Sequence, residues 1–137
     1  MGYLKNELSQ KSKYYLSKHR YLELKHFCLQ YPEWKERLKE INDISAAWIG
    51  NEVPGGLPNE TERIAIERSV LSKKIWLVEQ TCKKSDQQLW YYLLIGVTEE
   101  RPFVYLHNAL GMPCGKNMYY DRYRRFYWLM DQNLQGA

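Results

Sequence analysis

Apolar positions recur at helical spacing almost throughout this chain, and no stretch alternates as a strand would. From Leu4 to Tyr31 there is neither Gly nor Pro, and Leu8, Tyr15, Leu22 and Leu29 fall seven apart on one side of a helix. Such a helix can pack within its own monomer or pair with a second chain. Pro32 interrupts it, yet proline suits a first helical turn. The stretch PEWKERLKEIND restarts with early acids and with Trp34, Leu38 and Ile41 at helical spacing. The pattern predicts a kinked or broken pair of helices in an N-terminal region spanning residues 1–45.

The next segment, WIGNEVPGGLPNE, holds three Gly and two Pro, so residues 46–59 read as a linker or ordered loop. Asn59 then offers an N-cap, with Glu62 in the position of a capping-box partner. The helix that follows places Ile64, Leu71, Ile75, Val78 and Cys82 on one stripe, and Lys83 and Lys84 suit its C-terminal end. Ser85 and Gln88 repeat the capping logic ahead of a largely apolar helix containing Leu89 and Leu93. After a polar break at residues 98–101, Pro102 opens a short helix to Leu110, with Phe103, Leu106 and Leu110 on a core-facing side. Gly111 then suits the left-handed residue that ends a helix. A final helix starts near Lys116. The fold class predicted is all-α, a helical bundle whose second region, residues 60–137, ends in two short-turn-linked helices at about residues 102–130.

Composition supports a folded chain. The 137 residues are enough for one modest core, and they are 45% hydrophobic, with five Trp, twelve Tyr and three Phe. Some of this aromatic surplus is expected in the core and some at a base-stacking or protein-binding surface. The first fifteen residues lack the apolar run of a signal peptide, and no span is apolar enough for a membrane helix, so the expectation is a soluble cytoplasmic protein with no membrane partner. Cys28, Cys82 and Cys114 are widely spaced without metal-ligand patterns, which argues for reduced thiols and against a structural zinc site. His26 and Cys28 cannot share a metal, being two apart on a helix, and read as surface and core. Cys114, in the turn, reads as an exposed thiol.

The net charge of +4 is modest, but it is concentrated locally: Lys116, Arg122, Arg124 and Arg125 stand against the single acid Asp121. Two short helices joined by a Gly-containing turn, the second one basic, form the outline of a helix-turn-helix. In that arrangement the second helix enters the major groove of double-stranded DNA, where its first turns reach base edges and flanking cations reach phosphates. With the helix starting near Lys116, one face carries Asn117, Tyr120, Asp121 and Arg124, the candidate base-reading residues. Lys116, Arg122 and Arg125 are the candidate phosphate contacts. The opposite face, Tyr119, Tyr123, Phe126 and Met130, reads as core, with Trp128 and Leu129 adding to it. The bland alternative is that the charged face is merely the solvated side of a packed helix.

The stretch GMPCGKNMYYDRYRRFYWLMD resembles the C-terminal helix-turn-helix of the ArpU and RinA type phage transcriptional regulators, found in phages and prophages of Gram-positive bacteria. Upstream, VPGGLPNETERIAIERSVLSKKIWLVEQ is similar to that group's Gly-rich linker and capped helix, so the resemblance covers about residues 54–130. The group's motif is in turn similar to region 4 of sigma factors, and Leu110, Gly111, Met112 and Pro113 match the opening of its turn. His107 stands where the sigma-type motif has a small residue facing the second helix, and Gly115 where related sequences tend to have a Ser cap. The resemblance implies a phage-encoded, sequence-specific regulator of transcription, probable targets being late or packaging genes. The N-terminal helices would then supply homodimerisation or contact with RNA polymerase or another host protein.

Catalytic chemistry finds no support: His19, His26 and His107 are scattered, no Ser or Cys has a base nearby in sequence, and phosphate-binding fingerprints are missing. The expectation is a non-enzyme without cofactor or metal. Two further readings belong to other classes: a phage-encoded inhibitor such as an anti-CRISPR, binding a host protein through this same fold, and a ring-forming small terminase subunit.

Overall fold

The computed structural model describes residues 12–48 and 58–135, and among these every regular element is helical. Five helices follow in order: α1 (Lys18–Leu29), α2 (Tyr31–Trp48), α3 (Pro58–Ser85), α4 (Trp90–Glu99) and α5 (Lys116–Gln135). A π-helical turn, Tyr105–Ala109, lies between α4 and α5.

The helix predicted from Leu4 begins only at Lys18. Ser17 has extended backbone angles and its hydroxyl accepts the N–H of Arg20 at 3.2 Å, so it caps α1, and a turn at Ser12–Tyr15 precedes it. Leu8 lies outside the described residues. The predicted row is also not the buried one: Tyr15 is exposed and Leu22 and Leu29 are half-buried, whereas Tyr21, Leu24 and Cys28 are sealed in the core. Tyr21 and Cys28 are themselves seven apart, so a seven-residue repeat alone could not choose between the two rows.

α2 begins at Tyr31 with Pro32 in its first turn, the broken pair that the sequence predicts, and buries Trp34 and Ile41. It completes residues 46–48 of the predicted linker. α3 starts at Pro58, so Asn59 stands inside the first turn rather than ahead of it as the expected cap; residues 49–57 lie outside the described residues. The predicted stripe on α3 is buried throughout: Ile64, Leu71, Ile75, Val78 and Cys82.

This 28-residue helix is the spine of the bundle. Arg37 on α2 forks onto Glu67 at 2.8 and 2.9 Å, Arg68 reaches Asn42 and Ser45, and the Tyr31 hydroxyl donates to Glu79, which together lay α2 along residues 67–79. Farther along, Asn133 of α5 donates to the Thr81 hydroxyl at 3.1 Å. α1 closes the other side, packing on α4 and α5. Arg20 bonds Asp131 at 2.6 Å, and the Tyr21 and Tyr123 hydroxyls meet at 2.7 Å. The buried residues of α1 and α2 belong to the same core as those of α3, α4 and α5, so the two regions read from the sequence pack as one unit.

Buried hydroxyls in this core are satisfied locally. Thr81, Ser85 and Thr98 each donate to the carbonyl one helical turn back, at 2.6, 2.8 and 2.6 Å, a pattern that spends no partner from another helix.

Candidate nucleic-acid interface

The second predicted cap also shifts by one residue. Ser85 ends α3 with its hydroxyl turned back to Thr81, and Asp86 does the capping instead, one carboxylate oxygen accepting the N–H groups of Gln88 and Leu89, both at 2.8 Å. The other oxygen takes the Arg122 Nε of α5 at 2.9 Å. Burial pushes the Asp86 carboxyl up, but the two backbone donors and the Arg122 guanidinium outweigh it and hold it below the usual aspartate range. A depressed folded-state pKa contributes stability above the unfolded value and loses it as pH falls through the folded one. Asp86→Asn, which keeps a capping oxygen but no charge, is therefore expected to be less stable than wild type near neutrality. In urea titrations the two proteins should converge below about pH 4; a difference that persists at pH 2 would remove the ionic part of this account.

α4 runs from Trp90 with Leu89 and Leu93 buried, as the sequence predicts, but Tyr91 is exposed. It continues through the buried Thr98 to Glu99, two residues into the predicted polar break, and Glu100 ends it in the left-handed region at φ 56°. A glutamate rarely adopts that conformation; Lys25 of α1, 3.0 Å away, holds its carboxylate.

Pro102 then opens the next helical segment, its carbonyl accepting from Tyr105 and Leu106, and the backbone widens into the π register at Tyr105–Ala109. The widening rotates the following side chains. Leu106 is wholly buried, Phe103 half-buried, and Leu110, expected on the same core face, is exposed. His107 is likewise exposed, with Nδ1 3.0 Å from the Asn108 carboxamide oxygen, and does not face α5 as the matched motif position would imply. Gly111 terminates the segment at φ 72°, the conformation predicted for it, with its N–H on His107 and that of Met112 on Leu106. Met112 is buried and anchors the turn. Cys114, expected to be exposed, is half-buried, and burial pushes its thiol up, away from the thiolate form. His26 is exposed and Cys28 buried, as read from their spacing.

α5 starts at Lys116 with the Gly115 carbonyl accepting from Tyr119. Lys116, Asn117 and Met118 are exposed, and from Tyr119 to Asp131 no residue is. The helix thus presents its first turn and embeds the rest. Tyr119, Phe126 and Met130 are buried and Tyr123, Trp128 and Leu129 half-buried, which is the predicted core face; Tyr127, buried as well, was not in it.

The seven candidate contact residues divide accordingly. Lys116 and Asn117 lie open at the helix start. Tyr120 is half-buried in a ring cluster, its centroid 5.1 Å from Tyr119 and 5.8 Å from Tyr123. Arg122 is a correction to the phosphate set: it is committed to Asp86 and also donates to Asp121, so both members of that pair serve the fold, because a guanidinium already forked between two carboxylates has little left to offer a phosphate. Arg124 and Arg125 are half-buried, and the Arg124 Nη1 is sealed without a hydrogen-bond partner among the described residues.

One feature had no counterpart in the sequence reading. Gly96 and Val97 of α4, with Pro102, face Tyr119, Tyr120 and Tyr123 of α5 across a pocket of about 180 Å³. Among the described residues no group of three His, Cys, Asp or Glu is placed to hold a metal, and no helix is long and apolar enough to cross a membrane. No family model, no curated protein and no solved structure matches this chain.

Proposed function

We propose that the chain is a sequence-specific double-stranded DNA-binding protein that regulates transcription, of the phage-encoded ArpU and RinA type. The observation that carries the reading is the exposed first turn of α5, set behind a helical segment that Gly111 closes at φ 72°. A helix-turn-helix reads DNA through the first turns of its second helix, whose N-terminus also favours phosphate. The resemblance over residues 54–130 supports the same reading. Asn117, with its amide suited to adenine, is the leading base-reading residue, and Lys116 and Arg125 are the phosphate contacts. Arg124 reads a base only from its exposed portion.

A mobility shift against fragments of the encoding genome, at two salt concentrations with competitor DNA, tests the proposal. A discrete retained fragment is the expected result; uniformly weak, salt-sensitive binding would leave only a basic surface. Asn117→Ala is expected to weaken the specific complex by about 1–3 kcal/mol and leave non-specific binding unchanged. Lys116→Ala should lower the salt slope of binding by about one unit on every sequence.

The runner-up is a protein-binding module, such as an inhibitor of a host complex. Ile66, Val70 and Trp76 on α3, together with Tyr91 and Val104, are large apolar side chains left exposed, and they favour this second reading. Failure to retain any DNA fragment would make it the first choice.

A further inference from the structure

The pocket between α4 and α5 is built almost entirely of tyrosine. Rings of Tyr119 and Tyr123 lie 6.0 Å apart, Tyr123 and Tyr127 5.0 Å, and Tyr21 of α1 meets Tyr127 edge-on at 5.1 Å. Their hydroxyls are treated unequally. Those of Tyr21 and Tyr123 bond each other at 2.7 Å. That of Tyr119, a residue only 2% exposed, is buried with no hydrogen-bond partner.

An orphaned buried hydroxyl is costly and rare in a folded core. Here the neighbouring sequence keeps room for it: a Cβ built on Gly96 would lie 2.2 Å from the Tyr119 oxygen, so only glycine at 96 allows the hydroxyl its position on the pocket wall. Burial raises the phenol's pKa, keeping it a neutral donor. At the other end the lining carries Lys25 and Arg101 against Glu100, one positive charge in excess. Lys25 and Glu100 bond each other, which leaves Arg101, 3.8 Å from Glu99 and stacked over the Tyr105 ring at 4.5 Å, as the more available cation.

We infer that this pocket binds a single-ring aromatic acid whose ring lies among the tyrosines, with a polar oxygen on the Tyr119 hydroxyl and the carboxylate at the cationic mouth. The volume fits that class: a dry cavity of about 150 Å³ takes up benzene, and this one is slightly larger. Flat rings suit an edge-to-face tyrosine lining. Placing the carboxylate at the mouth leaves it partly hydrated, so the neutral oxygen rather than the charge is what enters the interior. The site stands whether or not the protein binds DNA.

The probe is 4-hydroxybenzoate, followed by amide chemical-shift changes in the full-length protein. Saturable shifts at Gly96, Val97 and Tyr119 are expected, with a dissociation constant on the order of 1 mM or tighter for so small a ligand. Tyr119→Phe keeps the ring and removes the donor. It should weaken 4-hydroxybenzoate about three- to tenfold while leaving benzoate, which has no second oxygen, unchanged. A folding defect would affect both ligands alike, so equal losses, or no loss for 4-hydroxybenzoate, would overturn the role of the hydroxyl. 4-Hydroxybenzyl alcohol should bind more weakly than the acid; equal affinity would overturn the assignment of an anion. Absence of saturable shifts up to the solubility of the probe would overturn the site itself.

Discussion

Gly96→Ala is expected to destabilise the protein by about 1–3 kcal/mol, and Tyr119→Phe in the same chain to restore it to wild-type stability or above. Alanine normally stabilises a helix interior relative to glycine by about 1 kcal/mol, so a net loss here has to come from packing. It does: the new methyl would sit 2.2 Å from the Tyr119 oxygen, and that side chain is wedged against Phe103, Tyr120 and Tyr123. Removing the hydroxyl removes the collision and also the unpaired buried donor. The methyl would then meet the ring carbon at 3.5 Å, an ordinary contact, with Leu106 at 3.3 Å giving slightly. A urea-denaturation cycle of the four proteins should show a favourable coupling between the two substitutions. Additive effects would mean that Tyr119 is free to swing away, and the rigid tyrosine wall would have to be abandoned.

The largest single loss is expected at Phe126. It is fully buried in the core of α5 and packs edge-on against Tyr127 at 4.9 Å. Phe126→Ala should cost about 3–5 kcal/mol through lost transfer energy and the cavity left behind. Against a total of roughly 5–15 kcal/mol for a domain, that is enough to lower the melting temperature by on the order of 10–20 °C. Tyr91→Ala, at a position 57% exposed, is the matched control and should change stability by less than about 0.5 kcal/mol. Comparable losses at the two positions would place the core elsewhere.

How far the sequence reveals this molecule depends on the distance over which each choice is made. The α3 stripe was legible because a long helix with one buried side repeats its pattern many times. The break at Pro32, the left-handed Gly111 and the start of α5 at Lys116 follow from local backbone preferences. The α1 face was misread because two rows on one helix share the same seven-residue repeat, and only the packing partners choose between them. The caps at residues 59 and 85 slipped by one because neighbouring polar residues compete for the role, and Asp86 wins through Arg122, 36 positions away. At the candidate site the exposed Lys116 and Asn117 were legible, while the commitment of Arg122 and the burial of Tyr120 were not. The π register, which turns His107 outward and Leu106 inward, has no periodicity signal to give it away.

Cys28 on α1 and Cys82 on α3 are both 0% exposed, and Cys82 has its thiol raised by burial and by the nearby Cys28. Neither can reach a reagent while the helices that cover it stay docked. Alkylation of these two sulfurs is therefore a clock on the separation of α1 from the rest of the bundle, with half-buried Cys114 reacting first and marking zero time. The protein carries its own gauge of how often its core opens.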